Sequence, residues 1–422
     1  MRIALLTDGT RGDTQPFIAL ALRLKAAGHS VILGAKPDFT QVAADYGIEF
    51  APLGEEYKVF LSNNVDAFEA GGFRRLAKRA DREADRLLVN LGEAAYEAVK
   101  GVDAILFKLT WIAGYTIAEK LGIPSAAVMF FPAHHTREFP AYLIGEGKDR
   151  GRWRNRFNWW WSEEYLIWGY QRVYDNVLRT RTLHIPQLPF AGPWERWEQE
   201  RMPVYYAFSP ALQPRPADWP SHLHVTGVWP PPPSLGAGPP AGLVEFLAAG
   251  PAPVYVGFGS MPSRAERTLD LVSRALARTG LRAVVTGWWS GFDRWGQVAD
   301  NLFCLPEVPH GWLFPQVAAV VHHGGSGTTA AGLIAGRPTV VVPFTLDQFS
   351  WGRRVHDLGA GPAPVPFSRL TAENLAAALS EATTSTAIQQ RAAALGAAIA
   401  GEDGVDRTVK LFEEYCAAWR RS

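Results

Sequence analysis

The sequence predicts an α/β protein with two doubly wound parallel-sheet domains, and three observations carry that prediction. The chain has 422 residues, more than one ordinary domain holds. In both halves, short apolar runs bounded by glycine-rich turns alternate with stretches of helical spacing, the pattern of strand–helix–strand units. Between the halves lies "VWPPPPSLGAGPPAG" (228–242), stiff with proline and then loose with glycine, and the alternation restarts directly after it. The expected organisation is a first domain over 1–228, a linker over 229–241, a second domain over 242–404 and a closing amphipathic helix over 405–422.

Taken in order, "RIALLT" reads as a buried strand, "DTQPFIALALRLKAAGHS" as the helix after it, ended near Gly28, and "VILGAK" as the next strand. "VDAILFKLT", "WIAGYTIAEKLG" and "IPSAAVMFF" repeat the unit, and "MPVYYAFS" supplies a late strand of this half. In the second half the strands are "PAPVYVGFGS", "LRAVVTGWW", "NLFCLPEV", "AAVVHHGG" and "RPTVVVPF". The helices are "AERTLDLVSRALARTG", "GWLFPQV", "TTAAGLIAG" and "SWGRRVHDLGA".

Composition excludes several classes. A net charge of +1 with 20% charged residues is not that of a nucleic-acid binder. Two cysteines, Cys304 and Cys416, provide neither a disulfide framework nor zinc-ligand spacing. No apolar run approaches the ~18 residues of a membrane span. The first apolar run is too short for a secretory signal, so a cytoplasmic location is expected. The charged helical stretch "FRRLAKRADREADRLLVNL" (73–91) fits either a solvated face or a peripheral contact with anionic lipid.

The most informative segment is "HHGGSGTT" (322–329), a loop from a strand's carboxyl end into a helix's amino end. Open parallel sheets bind ligands at such places, and free N–H groups at a helix start favour anions. Gly325 and Gly327 let an oxyanion approach the backbone; Ser326 and Thr328 add hydroxyls, and His322 adds an imidazole. Asp347 and Gln348 follow the next strand. Ser260 ends another strand as either a phosphate contact or a plain helix cap.

These motifs resemble the nucleotide-sugar glycosyltransferases of the GT-B architecture, in which two Rossmann-like domains face each other across a cleft. "HHGGSGTTAAGLIAGRPTVVVPFTLDQ" is similar to their donor-binding signature, and "TDGTRGDTQPFIALALRLKAAGHSV", "VGFGSM" and "HVTGVW" to other family segments. The closest branch is that of bacterial antibiotic and sterol glucosyltransferases. The resemblance implies that His322, Gly325, Ser326, Gly327, Thr328 and Ser260 hold a diphosphate. Asp347 and Gln348 would hold sugar hydroxyls, and Val308 and His310 of "EVPH" would frame the base. The co-substrate would be UDP-glucose or a dTDP-sugar, with no cofactor and, for lack of an Asp-x-Asp site, no metal.

Asp13 is the expected general base; capping the first helix is its other possible role, and Asp8 is a rival in the same loop. A His–Asp dyad is absent, because the position of the dyad's acid falls at Lys108 or a neighbour. The aromatic stretch 151–178, with Trp159, Trp160 and Trp161, and Phe130, Phe131 and His134 would line an acceptor pocket; packing on the core is the alternative. The implied reaction is inverting transfer of a sugar, glucose above all, to a hydroxyl of a hydrophobic acceptor of sterol, terpenoid, carotenoid or polyketide type. A sugar-nucleotide epimerase or hydrolase of the same architecture, or a non-catalytic binding protein, stays as the alternative.

Overall fold

The computed structural model describes residues 1–56, 83–144, 149, 151–162, 167–232, 238–259, 265–287 and 295–421. Ser260, linker residues 233–237 and residues 73–82 of the charged stretch lie outside them. The first sheet has seven strands: β1 (Arg2–Leu6), β2 (Ser30–Ala35), β3 (Glu49–Pro52), β4 (Ala104–Lys108), β5 (Ser125–Met129), β6 (Val204–Tyr206) and β7 (Leu223–Val225). They lie in the order β3-β2-β1-β4-β5-β6-β7, all parallel.

The second sheet contains β8 (Val254–Gly257), β9 (Ala283–Thr286), β10 (Gly296–Ala299), β11 (Leu302–Leu305), β12 (Val320–His322) and β13 (Thr339–Val341). Its order is β10-β11-β9-β8-β12-β13, parallel except for the antiparallel edge pair β10–β11.

Strands covered on both faces must be apolar where they are covered, and after Arg2 β1 is: Ile3, Ala4, Leu5 and Leu6 are all fully buried. The two-residue period sends Ala4 and Leu6 into one core, and Ile3 and Leu5 into another. The second of these cores also takes Val409, Phe412 and Cys416 from the last helix, Gly404–Trp419. That helix therefore packs on the first sheet, and His29 meets Glu413 there at 2.9 Å.

The two halves also touch directly. Trp351 packs edge-on against Tyr142 with ring centroids 5.0 Å apart, and the Ser350 hydroxyl donates to the Tyr142 carbonyl at 3.0 Å. Among the described residues, no helix is long and apolar enough to cross a membrane.

Strand order fixes where ligands go. The order in which strands are added reverses across the first sheet between β1 and β4, and across the second between β8 and β12, the strands staying parallel. Loops leaving adjacent strands at such a point diverge and open a crevice at their carboxyl ends. Asp13 and Lys108 lie at the first reversal, and Gly259 and His322 at the second.

Candidate functional site

The helix after β1 spans Arg11–Ala26, so it starts two residues before Asp13 rather than at it. The reason is a capping box: Thr10 is the N-cap, and Asp13 reaches back from the third helical position. One carboxylate oxygen, Oδ2, accepts from the Thr10 amide at 2.8 Å and its hydroxyl at 3.2 Å. The other, Oδ1, lies 2.7 Å from Lys108 Nζ, and that ammonium also donates to the Asp8 carbonyl at 2.9 Å. Capping and a cleft position thus coexist in one side chain.

Gly9 makes the arrangement possible. Its φ is +123°, and a Cβ there would fall 2.3 Å from Asp13 Oδ2. Asp8, the rival carboxylate, turns away to Lys36 at 3.3 Å.

At the second reversal, β12 ends in His322, which is fully buried. Its Nδ1 accepts from the Gly324 amide at 2.9 Å, which leaves the ring proton on Nε2. Nε2 is buried without a hydrogen-bond partner. Burial, reinforced by His323 and His310, holds the imidazole well below its ordinary pKa, so the ring is neutral. It can donate to an oxyanion but carries no charge to neutralise one.

The following helix, Ser326–Ile334, has Gly325 as its N-cap and no side-chain cap. Its first backward bond is from Thr329 to Gly325, at 2.9 Å. The amides of Ser326, Gly327 and Thr328 precede that bond and are the groups that an anion satisfies at a helix start. A Cβ on Gly327 would meet nothing within 4 Å, so the space over this turn is open.

Sequence reasoning missed His323. Its ring sits between the loops leaving β8 and β12: a Cβ on Gly325 would lie 2.5 Å from its Nε2, and one on Gly259 2.9 Å from its Cε1. Burial pushes this imidazole down to about 4. The doubled histidine was the available signal, but nothing in the sequence placed Gly259 against it.

Asp347 opens the helix Asp347–Asp357, after Leu346 with an unusual positive φ of 48°. Burial, and then the Asp13 charge, push its pKa up to about 7, while Lys108 opposes the shift. The two carboxylates therefore sense each other across the meeting of the two halves. Gln348 is buried, and its Oε1 accepts from the amides of Phe344 at 2.8 Å and Thr345 at 3.1 Å. That oxygen shapes the loop presenting Asp347.

A testable consequence follows from the Asp347 shift. An acid whose folded pKa is raised stabilises fully below its unfolded value, near 3.8, and that contribution is lost as pH rises through about 7. Asp347→Asn should therefore melt at a higher temperature than the parent at pH 8, with the gap closing by pH 4. Equal melting temperatures at both pH values would contradict the shift.

Val308 is buried with Leu305 and Phe314, so only its backbone is available to frame a base. His310 stacks on Phe314 at 4.3 Å and is pushed down to about 3 by burial, as a packed neutral ring. Glu307 beside them pairs with Arg11 of the first domain.

The acceptor candidates divide. Phe130 is buried edge-on between Phe17, at 6.2 Å, and Trp229, at 6.4 Å, on the sheet face that receives the last helix. Trp159 is also a core residue, 1% exposed, its indole N–H donating to the Phe139 carbonyl at 2.8 Å. Phe131 is half-buried against the core containing Trp351. His134 is boxed by Trp194, Tyr206 and Trp219 and hydrogen-bonds the Tyr206 hydroxyl. Burial drives it down to about 3, as a packed neutral ring. Trp161 is half-buried, and Trp160 is 50% exposed at the rim of a cleft.

Comparisons with known proteins identify the family. Residues 3–140 match the glycosyltransferase family 28 N-terminal domain, and residues 290–411 the erythromycin biosynthesis protein CIII-like C-terminal domain. A sterol 3-beta-glucosyltransferase of Arabidopsis thaliana is 33% identical over 428 residues, covering 98% of this chain and 68% of that protein. The chain thus spans about two thirds of that relative's length. O-mycaminosyltylonolide 6-deoxyallosyltransferase of Streptomyces fradiae is 35% identical over 432 residues, covering 98% of this chain and 97% of that one. The calicheamicin glycosyltransferase CalG4 shares the fold, with a TM-score of 0.70 at 19% identity over 99% of this chain and 98% of its own. The chain belongs to the UDP-glycosyltransferase-like family of GT-B glycosyltransferases, with sterol and antibiotic glycosyltransferases among its relatives.

Proposed function

We propose that this protein transfers a sugar from a nucleotide diphosphate sugar to a hydroxyl of a hydrophobic alcohol, with inversion and without a metal ion. UDP-glucose is the favoured donor and a dTDP-sugar the other; the acceptor class is sterol, terpenoid, carotenoid or polyketide. One observation carries the reading. The reversal point of the first sheet presents a carboxylate, that of the second presents an imidazole N–H and an uncapped helix start, and Asp347 feels the Asp13 charge between them.

In this mechanism the acceptor hydroxyl approaches Asp13, which takes its proton as the oxygen attacks the anomeric carbon. Attack comes from the face opposite the diphosphate, through an oxocarbenium-like transition state, so one displacement inverts the centre. Negative charge grows on the leaving diphosphate, where the amides of Ser326, Gly327 and Thr328 and the His322 Nε2 proton are fixed in advance. Asp347 accepts hydrogen bonds from sugar hydroxyls. Lys108 holds Asp13 in place and offsets the repulsion between the two carboxylates.

Lys108→Met should therefore lower turnover by at least ~10-fold with UDP affinity unchanged, because a misplaced base loses its alignment. Lys108→Arg should recover part of the loss; unaltered turnover in Lys108→Met would remove that residue from the mechanism.

The direct test is mass spectrometry of reactions containing the protein, several nucleotide sugars and a panel of lipophilic alcohols. A glycoside of defined mass is expected. Free sugar alone would favour a hydrolase, and no turnover with tight UDP binding would favour a binding protein.

A further inference from the structure

The helix Arg152–Trp161, "RWRNRFNWWW", has an arrangement that sugar transfer does not explain. At 3.6 residues per turn, Trp153, Phe157 and Trp160 fall along one line of the helix. They are 86%, 62% and 50% exposed, a crest of large rings in water. The opposite side anchors the helix: Trp159 and Asn155 are buried, and Asn155 Nδ2 donates to Asp149 at 2.9 Å. Arg152 and Arg156 flank the crest on one side and Arg154 on the other, all three exposed. The helix contains no acidic residue.

Nearby chain extends the surface. Phe190 is 79% exposed, with the Arg172 guanidinium 4.1 Å from its ring centre. Arg156 and Trp160 line a cleft of about 600 Å³ together with Pro189, Trp194, Glu195 and Arg196.

We infer that the helix Arg152–Trp161 docks on an anionic lipid surface, with its aromatic crest at the headgroup–acyl boundary and its arginines on lipid phosphates. An interfacial helix needs this cross-section: rings pointing down, cations on both flanks at headgroup level, and a third side held by the protein. The absence of acid within the helix complements the negative surface potential of an anionic leaflet. The cleft beside Trp160 would then open at the membrane, where a water-insoluble alcohol is concentrated. The charged stretch 73–91, the sequence-based candidate for such contact, falls largely outside the described residues. The inference goes beyond the transfer chemistry and does not depend on it.

The test is co-sedimentation of the full chain with vesicles of phosphatidylcholine alone or with about 30% phosphatidylglycerol, at low and high salt. The protein should sediment with the anionic vesicles, less with neutral ones and less in high salt. Trp153→Ser combined with Phe157→Ser should lower partitioning at least ~10-fold on anionic vesicles. Arg152→Gln combined with Arg154→Gln should lower it about five-fold per arginine, on anionic vesicles only. All four residues are exposed, so both variants should keep the parent's circular dichroism and its transfer to a water-soluble alcohol. Parent protein left in the supernatant with anionic vesicles would overturn the inference, as would an aromatic double variant that binds like the parent. Transfer activity measured in the same samples separates that failure from a failure of the proposed reaction.

Discussion

Asp13→Asn is expected to reduce sugar transfer by at least ~100-fold, the range for losing a general base, while UDP binds as before. The substitution is nearly isosteric. An asparagine oxygen can still accept from the Thr10 amide and hydroxyl, so the start of the first helix survives. What disappears is the charge opposite Lys108 and the capacity to receive a proton as the C–O bond forms. Asp13→Ala would be a poorer test, because it also opens the capping box. Asp8→Asn is the matched control: that carboxylate faces Lys36 and should be largely dispensable for turnover. Near-normal transfer by Asp13→Asn would end the assignment.

The second large effect is expected at His322. His322→Ala should cut turnover by about 10²–10³ and weaken UDP binding measurably, since it removes a donor aimed at the departing charge. The imidazole acts at both nitrogens. Nε2 carries the only proton it can offer, and Nδ1 receives the Gly324 amide, which shapes the loop leading into the uncapped helix. Because the ring is neutral through burial, the loss should be nearly constant between pH 6 and 9. A loss that appeared only at low pH would mean that an imidazolium was at work. The two variants should also differ in kind. Asp13→Asn spares UDP affinity and His322→Ala does not, so isothermal titration with UDP assigns them to opposite sides of the cleft.

The parts legible in the sequence were those set by local pattern. Short, fully apolar runs such as "IALL" and "AAVV", bounded by glycine-rich turns, read as strands covered on both faces, and the loops after them mark the carboxyl edges of the sheets. His322 stood out by the glycine-rich loop that follows it and Asp13 by the family resemblance; the strand order, which no local pattern shows, sets both at the reversal points. Short strands with polar neighbours, β3, β7 and the exposed edge β10, carried no such pattern and were missed.

Pairings between distant segments were equally hidden. Lys108 stood in the sequence only as a place without an acid; the fold turns it into the partner of Asp13. Burial sorted the aromatic residues in ways that spacing cannot. Trp159 and Trp160 are neighbours in sequence, yet one is in the core and the other on a cleft rim, because consecutive helical positions point about 100° apart. Phe130 and Phe131 divide in the same way: the first is buried in the core that receives the last helix, and the second packs against the other core.

A crystal of the protein soaked with UDP would examine the whole construction at once. The predicted result is a pyrophosphate within hydrogen-bonding distance of the Ser326, Gly327 and Thr328 amides and of His322 Nε2, with the uracil beside residues 307–310. Density for the nucleotide at any other place on the chain would contradict the account at its foundation.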